Sequence, residues 1–386
     1  MATEAARLER ALIELRRDLH RHPEAPGREQ RTAAVVAREL RAAGLAVTTG
    51  VGGHGVVGVL KGSGPGRTVA YRADMDAVPP TDIVGGGSAP AHLCGHDVHT
   101  TVGVGVAQVL ARLRHRLKGT VVFLFQPAEE TLSGARALIE SGVLERESVA
   151  EVHALHCGPF PVGQFAVTPG YGMPGQDKAE VTVSGPDAFD SARRLAVELG
   201  ALATVALPQT PADLEQIVAE AQTPDGPLAR FVAVRATARG DQVNVSYRCW
   251  PQERHVEVRA NIRRLARSYT GAEVRFPAEP FPAMVCSERD ARPLARYLRS
   301  AVGRNTVTEL HAAFPPFSGE DFALFLERLP STYTFLGVRA PGTPVTASYP
   351  HYPDFAPDER AIGIGVRAMA GWIAERTRRA QDLTGV

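Results

Sequence analysis

Thr120-Val121-Val122-Phe123-Leu124-Phe125 runs without interruption into Gln126-Pro127-Ala128-Glu129-Glu130. A short run of β-branched and apolar residues with no polar alternation reads as a strand buried on both faces, the habit of a mostly parallel sheet. Working outward, residues 99–117 read as a helix before this strand, and a short helix at 134–141 and a strand at 151–155 follow it. Upstream, residues 56–60 and 68–73 read as strands. Leu8, Leu12, Leu15 and Leu19 recur at helical spacing, and a second helix over 29–43 is ended by Gly44. Alternation of this kind predicts an α/β fold whose mostly parallel sheet is covered by helices.

The texture changes to glycine and proline over residues 169–176, which suits a passage between domains. Beyond it the pattern predicts a strand at 178–183, helices near 189–203 and 213–221, a strand at 230–238 and a charged helix over 253–268. No histidine occurs between His156 and His255, so this region is poor in catalytic side chains. Candidate chemistry resumes after Pro293, with the loop Ser318-Gly319-Glu320-Asp321-Phe322, a strand at 333–336, His351 and a helix over 358–378. The expected organisation is a catalytic domain in two parts, 1–177 and 290–386, with a smaller α+β satellite domain, 178–289, inserted between them.

A chain of 386 residues can bury a large core, and its formal net charge of +1, with acids and bases interspersed, carries no footprint for nucleic acid or an anionic membrane. The expected partner is therefore a small molecule. No apolar run approaches the roughly 20 residues of a membrane span, and Glu4, Arg7, Glu9 and Arg10 open the chain where a signal peptide would be apolar. A cytoplasmic location is the expectation. Cys94, Cys157, Cys249 and Cys286 lie far apart without paired spacing, which favours burial or metal ligation over a disulfide framework.

Ala91-His92-Leu93-Cys94-Gly95-His96-Asp97-Val98-His99 concentrates thiol, imidazole and carboxylate groups in one short segment. One glycine separates Cys94 from His96, so both can reach one ion or a close pair of ions from a tight loop. Glu129 and Glu130 directly follow a buried strand, where adjacent carboxylates are costly unless paired with positive charge or used in chemistry. The bland alternative is a solvated helix N-terminus. His156 stands at the end of an apolar strand, and Arg72-Ala73-Asp74-Met75-Asp76-Ala77-Val78-Pro79 adds two acids at the end of another. Such acids commonly orient metal-bound histidines.

Taken together with Arg17-Asp18-Leu19-His20-Arg21-His22-Pro23-Glu24 and the segment from His351 to Phe355, these motifs, in this order, resemble the amidohydrolase branch of the aminoacylase and carboxypeptidase-like metallopeptidases. That branch contains hippurate hydrolases, N-acyl-amino-acid amidohydrolases and hydrolases of indole-acetyl-amino acids. The resemblance implies Cys94, His96, Glu130, His156 and His351 as metal ligands, Glu129 as general base and Asp76 as the acid that orients a ligand. Five side chains exceed what one tetrahedral ion takes from protein, so two divalent ions are the simpler reading. Mixed sulfur, nitrogen and oxygen donors suit zinc, and manganese or nickel are compatible with the same set. His92, His99 and His153 read as supporting or structural groups, His20 and His22 as structural or surface residues, and His255 as an exposed residue on a helix face.

The resemblance stops in the inserted domain. After its first strand the family typically carries Gly-Gly-His-Ala, whose histidine stabilises the tetrahedral intermediate in the partner subunit's site. This chain has Ser184-Gly185-Pro186-Asp187-Ala188-Phe189. Loss of one such donor typically costs a factor of about a hundred to a thousand in turnover. Asn244, Arg248 and Glu320 are the candidate substrate contacts, Arg248 as a replacement charge. The family's usual dimer contact also runs through this domain, so a homodimer is implied in the part of the chain that departs most. The expected function is metal-dependent hydrolysis of an N-acyl or related amide of a small amino-acid-like substrate. The alternatives are a biosynthetic enzyme of the same fold performing condensation or cyclisation, and a metal-binding protein with impaired catalysis.

Overall fold

The computed structural model of the chain describes residues 1–378. In chain order the elements are α1 (Ala2–His20), α2 (Gln30–Ala42), β1 (Ala46–Val51), β2 (Gly55–Lys61), β3 (Gly64–Asp74), α3 (His96–Arg112), β4 (Lys118–Gln126), α4 (Gly134–Glu140), α5 (Val143–Arg146) and β5 (Glu151–Pro161). There follow β6 (Phe165–Val167), β7 (Gly172–Met173), β8 (Asp177–Thr182), α6 (Ala188–Gly200), α7 (Pro211–Ala221), β9 (Phe231–Arg239), β10 (Gln242–Trp250) and α8 (His255–Ala266). The last are β11 (Glu273–Arg275), β12 (Met284–Val285), α9 (Glu288–Ala301), β13 (Val307–Glu309), α10 (Ala323–Leu326), β14 (Ser331–Arg339) and α11 (Arg360–Arg376).

The described residues divide into two compact units. The first comprises Met1–Gly170, Cys286–Glu309 and the chain from Leu324 onward; the second comprises Tyr171–Val285 and Leu310–Ala323. These bounds differ from the 178–289 read in the sequence, because 310–323 cluster with the inserted unit although they follow α9 and β13 of the first.

The first unit is built on an eight-stranded sheet ordered β1-β2-β4-β3-β5-β14-β6-β13. Its middle, β4-β3-β5-β14, is parallel, while β1, β2 and the β14–β6 pair run antiparallel. The run from Val121 to Phe125 is buried on both faces of β4, as its unbroken apolar sequence requires. Helix α3 packs against α1, α11 and β3, and its own residues are almost all buried. Gly103 lets it approach the sheet: a Cβ there would lie 3.0 Å from Phe125 and 3.1 Å from Ala73.

The second unit is an antiparallel sheet ordered β11-β8-β10-β9, with α6 and α8 packed on one face around Leu195, Leu199, Val243, Val245 and Ile262. Strand β10 is well formed through Asn244 and Arg248. Among the described residues no helix is long and apolar enough to cross a membrane.

Candidate active site

The carboxyl ends of β3 and β4, the middle of β5 and the start of α3 bring one group of side chains together in the first unit. His156 lies inside β5, which continues to Pro161; the sequence reading ended that strand one residue before it. The Cys94-Gly95-His96 turn is tight. Gly95 has φ of 92°, and a Cβ there would sit 2.7 Å from the Cys157 sulfur, so only glycine fits.

Each of the three histidines implied as ligands spends Nδ1 on a backbone carbonyl. His96 Nδ1 lies 2.9 Å from the Asp76 carbonyl and 3.2 Å from Asp76 Oδ1. His156 Nδ1 lies 2.7 Å from the Cys157 carbonyl, and His351 Nδ1 3.0 Å from that of Asp82. A carbonyl only accepts, so in each ring Nδ1–H donates and Nε2 is the nitrogen turned toward the cluster. The three Nε2 atoms face neighbouring groups, and that of His96 also lies 3.6 Å from Asp74 Oδ2. His156 Nε2 is 3.4 Å from Cys94 Sγ; His351 Nε2 is 3.3 Å from Glu130 Oε2; His96 Nε2 is 3.7 Å from Glu130 Oε1 and 3.9 Å from Glu129 Oε2. Ligand atoms of Cys94, Glu130 and His351 lie within 4.8 Å of one another, as do those of His96, Glu129 and Glu130.

Two of these atoms, His96 Nε2 and Glu130 Oε1, are buried without a hydrogen-bond partner. Orphaned donors and acceptors of this kind are rare in a folded interior. Burial alone would lower the His96 imidazole, but Asp74, Asp76 and Glu130 outweigh it and push it up to about 10, a measure of how negative the cluster is. Burial, with Glu130 and Glu129 beside it, holds the Cys94 thiol well above its usual range, so a thiolate here needs a cation. Burial and the neighbouring His99 keep His156 neutral. A thiol, three imidazoles and carboxylates in a strongly negative cluster fit one or two divalent cations, which would take the place of the proton on His96.

His99 is excluded as a ligand although it is close. Its Nδ1 lies 2.6 Å from Asp74 Oδ1, and its Nε2 accepts from the Cys157 amide at 2.8 Å, so both nitrogens are occupied. Asp74 in turn accepts from Arg72 at 2.7 Å. Burial would raise its carboxyl, but Arg72, His96 and His99 hold it well below the usual range.

Supporting contacts come from further away. Asp76 Oδ2 accepts from the Glu130 amide at 2.9 Å, so Asp76 holds both a histidine and the loop that carries the glutamates. Ala128, just before Glu129, has φ of 54°, in the left-handed region unfavourable to alanine. Its amide donates to Glu29 Oε1 at 2.8 Å, and the same oxygen accepts from Gly27 at 2.7 Å. The Glu24 carbonyl accepts from the Ala77 amide at 2.8 Å, while its carboxylate caps the start of α2 through Arg31 and Thr32. The sequence carried no signal for Glu29, because its partner lies 99 residues downstream. His351 also has positive φ, 69°, and is tied by backbone bonds to Leu93 and Val84. His20 joins Arg16 on the buried Asp97, and His22, just past the end of α1, bonds the Asp18 carbonyl in its last turn.

In the second unit Asn244 lies mid-strand on β10, and the Arg248 guanidinium packs so close to Gly319 that a Cβ there would be 2.4 Å from Nη1. Glu320 accepts from the Phe322 amide at 2.9 Å. His255 bonds the Gln252 carbonyl at 3.0 Å and is half-buried. The departing segment Ser184–Phe189 forms the turn from β8 into α6.

Residues 70–375 match the family described as peptidase family M20/M25/M40. The chain is 31% identical to the putative amidohydrolase YhaA of Bacillus subtilis, over 93% of each protein. It is 30% identical to the N-acetylcysteine deacetylase of the same organism, over 93% of this chain and 95% of that one. Among solved structures, the Bacillus subtilis YXEP protein, described as a dinuclear metal-binding peptidase from the M20 family, superposes with a TM-score of 0.72 at 29% identity, covering 96% of this chain and 99% of that one.

Proposed function

Because the chain belongs to peptidase family M20/M25/M40, a family of metal-dependent amidohydrolases, we propose that it hydrolyses the N-acyl amide of a small amino-acid-like substrate with Glu129 as general base. The observation that carries this reading is that the Nε2 atoms of His96, His156 and His351 face Cys94, Glu129 and Glu130 between them, with His96 Nε2 and Glu130 Oε1 buried without a hydrogen bond. In this reading Cys94, His96, Glu130, His156 and His351 hold two divalent ions, of zinc or manganese. When bound, such ions polarise the scissile carbonyl and lower the pKa of a nearby water.

The remaining steps belong to the chain. Glu129 accepts the proton that water loses as its oxygen bonds to the carbonyl carbon. It then delivers that proton to the amide nitrogen as the C–N bond breaks, leaving a carboxylic acid and an amine; the acid's proton passes to the amine, so the products depart as carboxylate and ammonium. Asp76 fixes His96 in the tautomer that offers Nε2 and anchors the Glu130 amide, so it is a positioning residue. The names of the relatives favour an N-acyl amino acid as substrate. Asn244, Arg248 and Glu320 contact substrate in this reading, and the second unit mediates a homodimer. The test is hydrolysis of an N-acyl-amino-acid panel by wild type and Glu129→Gln. General-base loss should lower turnover by about 10²–10⁴-fold, and unchanged turnover removes Glu129 from its role.

One observation favours a second reading. The segment Ser184–Phe189 lacks the family's oxyanion-stabilising histidine, which suits a biosynthetic amide or amine reaction on the same fold. Product analysis separates the two: simple hydrolysis of every candidate amide eliminates the second.

A further inference from the structure

A second polar cavity lies at the opposite end of the catalytic sheet. It encloses about 290 Å³ and is lined by Arg67, Arg289, Arg376, Glu151, Asp290 and His153, among others. Glu151 and Ser331 begin β5 and β14, so the cavity sits at the amino ends of the central parallel strands, whereas the candidate metal centre draws on carboxyl ends.

Its charges do not cancel. Arg376 grips Glu151 through Nε at 2.7 Å and through Nη2, and Arg67 Nη1 contacts the same carboxylate. Two guanidinium groups thus share one acid, and each keeps N–H groups beyond those spent on it. Burial would raise the Glu151 carboxyl, but the bonds from His153 and Arg376 hold it well below the usual range, so it stays charged. His153 adds no charge. Trp372 Nε1, which can only donate, lies 3.3 Å from His153 Nδ1, and the Thr332 hydroxyl lies 2.7 Å from the same nitrogen. Nδ1 is therefore an acceptor, and Nε2–H donates to Glu151 at 3.2 Å, the neutral tautomer. Among the lining side chains, three arginines stand against Glu151 and Asp290, one more cation than anion, with Glu375 acting on Arg376 from outside the lining. Arg376 is further fixed by lying 5.2 Å over the Trp372 ring, so its guanidinium is preorganised.

We propose that this cavity binds a small multivalent oxyanion, of the phosphate or dicarboxylate class, through Arg67, Arg289 and Arg376. The unspent N–H groups supply charge-assisted bonds in the fork geometry that such oxygens match. The site is independent of the amide chemistry at the carboxyl ends of the strands.

The experiment is thermal unfolding of the full chain titrated with sodium phosphate or sodium succinate against sodium chloride at matched ionic strength. A ligand that binds only the folded state raises the midpoint saturably. Arg289 is exposed, so Arg289→Gln tests the site without endangering the fold, and it should weaken binding about threefold. Asp290→Asn removes an opposing charge and should tighten binding by a similar factor. Opposite shifts in these two variants locate the anion here and not at the metal centre. A response to phosphate alone, or to succinate alone, selects the oxyanion within the class. Absence of any saturable rise beyond chloride, or identical affinities in wild type and both variants, overturns the proposal.

Discussion

Glu29→Ala should disable the enzyme from outside its chemistry. The Glu29 side chain is fully buried, and one of its oxygens holds the amides of both Gly27 and Ala128. Removing it leaves the half-buried Ala128 N–H unpaired, at about 1–3 kcal/mol, while Gly27 is exposed and its N–H can turn to water. It also frees Ala128 from a left-handed conformation, φ 54°, that alanine disfavours by roughly 1–2 kcal/mol. Release of that preference alone shifts the loop before Glu129 out of position by about tenfold in population. The expected variant is destabilised by about 1–3 kcal/mol in urea unfolding, with kcat on an N-acyl-amino acid reduced about tenfold or more and KM changed less. Glu29→Gln keeps an acceptor oxygen and should retain most activity. The decisive arm is Ala128→Gly in the Glu29→Ala background. Glycine visits positive φ freely, so turnover should recover while the lost stability does not. Equal turnover in Glu29→Ala and the double variant, both impaired, would refute the argument that Glu29 acts by holding Ala128.

Other outcomes follow from the same geometry. Cys94→Ser should lower metal affinity and turnover together, because a neutral hydroxyl replaces the softest donor; metal titration of the chelated protein reads this directly. Arg248→Ala should raise KM more than it lowers kcat if Arg248 contacts substrate uniformly, and an unchanged KM removes it from that role. For pH, Glu151 has a folded-state pKa depressed below its ordinary 4.5. Its stabilisation is therefore complete above that value and disappears as pH falls through the lower folded value. Glu151→Gln should be less stable than wild type at pH 7, with the difference shrinking in acid; urea midpoints measured from pH 7 down to about 3 check this.

Much of this molecule is readable from local pattern. The run from Thr120 to Phe125 announces a strand buried on both sides, and β4 is central in the sheet. Cys94, His96, Glu129, Glu130, His156 and His351 stand out because their residue types are unusual beside apolar strands, and they meet in one cluster. What escapes the sequence is non-local. The exception is β10, whose strict polar–apolar alternation from Gln242 to Cys249 marks a half-buried strand locally although the sequence reading places no strand there. Residues 310–323 carry no periodicity that assigns them to the second unit; contacts made after folding do. The pairing of His99 with Asp74 and the Cys157 amide depends on where α3 meets β5, and nothing within nine residues of His99 forecasts that it is spent while His96 is not. Glu29 looks like any acid ahead of a helix.

The central claim is that Cys94, His96, Glu130, His156 and His351 form a site for two divalent cations. Elemental mass spectrometry of the purified protein and of His96→Ala tests it most directly. The account predicts about two divalent ions per wild-type chain, as for dinuclear hydrolytic centres, and a clear loss in the variant. Wild-type protein that takes up no divalent metal, or a His96→Ala protein that binds as much as wild type, would contradict it.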